Sequence, residues 1–191
     1  MAEKKKRKGR RAYLNDFYTD VTGNTVYTGK MYRYCGQLTY PAMRQRICLY
    51  CGLIFACVFA AACLPAPSML GIGKFYVVLP FILECIALLL TLWAAVRMLY
   101  HGEALRAYVY EATVKRLPWW LEMTAVFAAV GAVCNVVYLA LNGFGGQPAL
   151  SLVLIALHVL TAVLAVLCLR FVRSLVWSGG EEELPPKQEE S

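Results

Sequence analysis

Two acid–base side chains, Glu84 and His158, lie deep inside apolar stretches of this sequence. A carboxylate and an imidazole within reach of one another can hold and pass a proton. An acidic group at the centre of a membrane helix costs about 2.5–3.5 kcal/mol, so such a group is expected to face a bundle interior. Glu84 lies nine residues from Phe75 and His158 nine residues from Ala149, the ends of their apolar runs. At helical rise both sit roughly 14 Å deep. Asn135 lies six residues from Leu141, about one turn shallower. Glu84, His158 and Asn135 therefore form a candidate intramembrane polar site. The competing structural role is hydrogen bonding between helices.

Eight cysteines are present, most of them inside apolar runs, where a free thiol packs as a small hydrophobe. Cys48-Leu49-Tyr50-Cys51 is a C-x-x-C pair. It lies at the end of the first apolar run expected on the inner side. Four-helix membrane oxidoreductases of the disulfide-forming and vitamin K epoxide reductase types carry theirs at the outer end, so the placement differs. Cys35 is too isolated from further Cys or His for a metal site, and no metal or cofactor is expected. Gly71-Ile72-Gly73 is a weak signal, and neither a phosphate-binding glycine loop nor a nucleophile elbow occurs. The chain is expected not to be an enzyme.

The elements that must hold the polar site are four apolar runs, about 47–64, 75–98, 119–141 and 149–172. Each is long enough to cross a hydrocarbon core, or nearly so, and each lacks the polar stripe of a helix in a soluble protein. Overall, 60% of residues are hydrophobic and 16% charged, a balance that points to lipid. The fold class expected is an all-α integral membrane protein: a four-helix bundle over 47–177 with a small N-terminal β-hairpin and disordered termini. Pro118, with Trp119 and Trp120 behind it, fits a helix start at the membrane interface.

Charge sets the orientation. Eleven of the nineteen Lys and Arg residues precede residue 47, four (Arg97, Arg106, Lys115 and Arg116) lie at the end of the second run and in the connection to the third, and three (Arg170, Arg173 and Lys187) lie at the end of the fourth run and beyond it. The two remaining connections hold one, Lys74. Both termini and the middle connection are therefore expected in the cytoplasm, with the chain in the plasma membrane of a bacterium. The same distribution accounts for the net charge of +7 without nucleic acid.

Residues 1–11 form a polybasic tail. Its Lys4, Lys5, Lys6, Arg7, Lys8, Arg10 and Arg11 are candidates for anionic lipid head groups. Residues 12–46 are rich in tyrosine, with strand-like runs at 17–21 and 25–28 around Gly23-Asn24. Phe17, Tyr18, Tyr27 and Tyr32 are candidates for a partner surface. In the middle connection, Leu105, Tyr108, Val109 and Ala112 fall on one helical face, which suits an amphipathic helix or an extension of the second helix. The acidic tail 178–191 is expected to be disordered.

Two functions are compatible with these residues. One is a non-enzymatic subunit or scaffold of a membrane complex, with a membrane-protein partner or a second copy of itself. The other is a small proton-coupled transporter using Glu84 and His158.

Overall fold

Four stretches that are apolar on nearly every side wind into long helices. In the computed structural model, which describes residues 16–19, 23–64, 74–142 and 148–182, they are α1 (Tyr40–Cys63), α2 (Phe75–Tyr100), α4 (Leu117–Asn142) and α5 (Pro148–Arg173), with a short α3 (Ala107–Ala112) between α2 and α4. Among the described residues these four helices are long and apolar enough to span a membrane. α1 starts seven residues before Ile47. Pro41 occupies its first turn, where a missing N–H is harmless. Met43 and Ile47 are buried while Arg44 and Arg46 stay exposed, so this amphipathic turn escapes a search for purely apolar runs. α2 is capped by His101, followed by Gly102 at φ 80°, the left-handed conformation that terminates many helices.

α4 packs along both α2 and α5, and α1 packs on α5 and, over less of its length, on α2. Where the helices meet, Ala87, Ala94, Ala125, Ala128, Ala132 and Ala165 are buried, and their small side chains let backbones approach. Larger buried side chains, including Met43, Ile47, Met98, Leu105 and Leu121, gather toward one end of the bundle.

That end carries the strands. β1 (Phe17–Thr19) and β2 (Thr25–Tyr27) pair antiparallel. A separate three-stranded sheet has the order β4-β3-β5, with β3 (Lys30–Tyr34) between β4 (Ala104–Arg106) and β5 (Trp177–Glu182), both antiparallel to it. β3 precedes α1, β4 follows α2 and β5 follows α5. Their pairing brings the start of α1 and the ends of α2 and α5 to the same end of the bundle.

This sheet corrects three expectations. Strands are not confined to an N-terminal hairpin, because a second sheet of three strands draws on the middle and C-terminal segments. The tail is not unstructured from 178 onward: 178–182 continue β5. The middle connection does not form one amphipathic helix through Leu105, because Ala104–Arg106 is extended and only 107–112 coil. The common cause is non-local pairing. β4 has three residues, and β5 reads locally as a Gly-rich acidic tail. Each becomes a strand because β3 supplies hydrogen-bond partners from another part of the chain.

Candidate functional site

Glu84 on α2 and His158 on α5 are brought together in the bundle interior. The carboxylate Oε2 lies 2.8 Å from ring nitrogen Nδ1, and each side chain is 2% exposed. A proton on Nδ1 makes the ring the donor and the carboxylate the acceptor. A proton on Glu84 reverses the roles, so the contact holds whichever partner carries the proton. Phe81, almost one turn before Glu84, meets the imidazole edge-to-face at 5.7 Å.

α4 runs between these two helices, and Gly131 makes the approach possible. A Cβ at Gly131 would stand 3.3 Å from both Cε1 and Nδ1 of His158, so the ring lies against bare helix backbone. Asn135 does not complete a three-residue cluster. Its Nδ2 donates back to the Gly131 carbonyl at 2.8 Å, within its own helix. Two turns toward the sheet end, Thr91 and Thr124 bring their hydroxyls within 3.3 Å across the α2–α4 contact, and each also reaches a carbonyl of its own helix. Sequence reasoning missed Gly131, although a signal existed. It lies ten residues from Leu141, at the depth of Glu84, and is a glycine in the middle of a helical run.

The aromatic candidates near the N-terminus pack on their own chain. Phe17 and Tyr27 meet edge-to-face at 5.2 Å, and the Arg106 guanidinium lies over both rings, 5.6 and 5.2 Å from their centres. The Tyr27 hydroxyl accepts from the Ala107 N–H at 3.2 Å and donates to the Lys30 carbonyl at 3.3 Å. Burial raises the Tyr27 pKa above the usual tyrosine value, and the Asp16 charge adds to the rise. Tyr32 stacks on Tyr110 at 4.1 Å, and Trp177 packs against Tyr34 and Tyr110. Tyr18 belongs to β1 opposite Val26, but its side chain lies outside the described residues. So do Lys4, Lys5, Lys6, Arg7, Lys8, Arg10 and Arg11.

At the α2–β4 corner, His101 is held below the ordinary histidine range by burial and by the positive charges of Arg97 and Arg106. All eight cysteines carry free thiols. Cys48 is exposed, whereas Cys51 and Cys168 of α5 are buried. Among the described residues no group of three or more His, Cys, Asp or Glu is placed to hold a metal ion.

No family model, curated protein or solved structure matches this chain.

Proposed function

We propose that this chain is a multi-pass membrane protein that serves as a non-enzymatic subunit or scaffold of a membrane complex, with its sheet end in the bacterial cytoplasm. The observation that carries the reading is the β4-β3-β5 sheet. It joins the N-terminal region, the middle connection and the C-terminal region, the three segments that hold eighteen of the nineteen basic residues. The charge rule assigns these three segments to one side, and a sheet that gathers them at one end of the bundle supports that assignment. The bundle's outer surface supports the membrane placement. Leu49, Trp93 and Val133 are 60–68% exposed on helices that would otherwise present continuous apolar surface to water. In this reading the two small sheets form the partner surface, and Glu84 with His158 pins α2 to α5.

A proton-coupled transporter is the second reading, favoured by the 2.8 Å carboxylate–imidazole contact. Purified protein in liposomes loaded with a pH-sensitive dye separates the two. The scaffold reading predicts no proton flux above that of protein-free vesicles under an imposed gradient. Flux that disappears in Glu84→Gln would overturn it in favour of transport, because an amide cannot titrate.

A further inference from the structure

Where α1 begins and α5 ends, a cavity of about 460 Å³ opens between the two helices and the segments leading into and out of them. Its wall is divided. Gln37, Arg46 and Ser174 supply polar groups, and Leu38, Phe171 and Leu175 supply apolar ones. The Arg46 guanidinium lies over the Phe171 ring, 5.8 Å from its centre, and among the described residues no carboxylate pairs with it. A guanidinium held by one face against an aromatic ring keeps its N–H edges free for a planar, bidentate acceptor such as a phosphate.

The cavity also stands at a boundary in the surface. On α1, Arg44, Gln45 and Arg46 are exposed and then Leu49 and Leu53 are exposed. On α5, Val166 and Leu167 are exposed and then Arg170 and Arg173. Along both helices the exposed side chains change from apolar to basic at the level of the cavity. A molecule fitting this place needs an anionic head for Arg46 and an apolar body that continues along the bundle.

We propose that this cavity binds the phosphate head group of an anionic phospholipid from the cytoplasmic leaflet. The residues that line the site are other than those of the polybasic tail. The proposal rests on the reading of the four helices as membrane spans, but not on the scaffold role.

The full chain is first recovered from membranes washed at alkaline pH. Protein in the supernatant overturns the spanning reading and the lipid site with it. Protein in the pellet is taken into detergent and studied by native mass spectrometry. Phosphatidylglycerol, phosphatidylcholine and inorganic phosphate are offered separately. To silence the tail, Lys4, Lys5, Lys6, Arg7, Lys8, Arg10 and Arg11 are all changed to Gln in a second version of the chain.

The expected result is one phosphatidylglycerol retained in preference to phosphatidylcholine, in both versions. Arg46→Gln should lower that retention by about fivefold, from roughly 1 kcal/mol per basic residue near the surface. Arg46→Lys keeps the charge and should keep most of the binding, which shows that the loss does not come from misfolding. Equal retention of the two lipids overturns the site. So does a preference that vanishes with the tail charges and is indifferent to Arg46→Gln. Arg46-dependent displacement of the lipid by inorganic phosphate at equal concentration would mark a soluble-anion site and overturn the lipid assignment.

Discussion

The Glu84 carboxylate and the His158 imidazole meet at 2.8 Å across the face of α4, directly over Gly131. The contact links α2 to α5, two helices that each pack mainly on α4. A buried hydrogen-bonded pair of this kind contributes modestly while intact and is expensive to half-remove, because the group left behind is desolvated and unpaired.

Glu84→Ala or His158→Ala should therefore each destabilise the protein by about 1–3 kcal/mol, with the double variant costing clearly less than the sum. Glu84→Gln keeps an acceptor and a donor and should stay close to the parent. Thermal unfolding in detergent reads all four. Additive losses would mean that the two side chains are not coupled.

Gly131→Val is expected to push the His158 ring aside, since even the first added carbon would stand 3.3 Å from two ring atoms. The cost should be about 1–3 kcal/mol by overpacking. It should shrink when His158→Ala is combined with it, because the obstacle is then gone. An equal cost in both backgrounds would place the strain elsewhere.

In the sheet, Gly179 lies opposite Tyr32, and a Cβ there would collide with the Tyr32 ring at Cε1. The Tyr32 ring cannot simply turn away, because it is stacked on Tyr110. Gly179→Val should release β5 from β3 and make the C-terminal segment sensitive to protease, and Tyr32→Ala should restore protection in the double variant. Unchanged protection in Gly179→Val would count against the β3–β5 register.

His101 provides a pH-dependent observable. Its folded pKa is lowered, so between the ordinary value of about 6.5 and the lower folded value the unfolded chain binds more protons than the folded one. The contribution of His101 is present above that window and is lost as pH falls through it. The residue is only slightly buried, so the effect on stability is small, but the midpoint is readable by NMR, since the chain has two histidines and His101→Gln assigns the signal. A midpoint below 6.5 that rises in Arg106→Gln is the expected result. A midpoint above 6.5 would contradict it.

The four helices could be read from the sequence because each is a local, uninterrupted apolar run. The shared depth of Glu84 and His158 could be read because helical rise is fixed at 1.5 Å per residue. Neither the sheet nor the true partner of Asn135 could be read in that way. β4 and β5 exist only through pairing with β3, at sequence separations of about 70 and 145 residues. Residue counting gives Asn135 a depth but not a direction, and its amide turns back to its own helix at Gly131. The aromatic density of residues 13–40 was legible as well. That it would be used against Arg106, Tyr110 and Trp177 depended on the same non-local sheet.

The central claim is that four helices cross the membrane and place the N-terminal, middle and C-terminal segments on the cytoplasmic side. Its most direct test is labelling with a membrane-impermeant maleimide on intact cells, using single cysteines in a cysteine-free background. Cysteine at Ser68 or at Gly145 should react on intact cells. Native Cys35, exposed beside the sheet, and a cysteine at Ser178, its hydrogen-bond partner, should react only after the membrane is permeabilised. Labelling of Cys35 or Ser178→Cys on intact cells, or protection of both Ser68→Cys and Gly145→Cys until permeabilisation, would contradict the account.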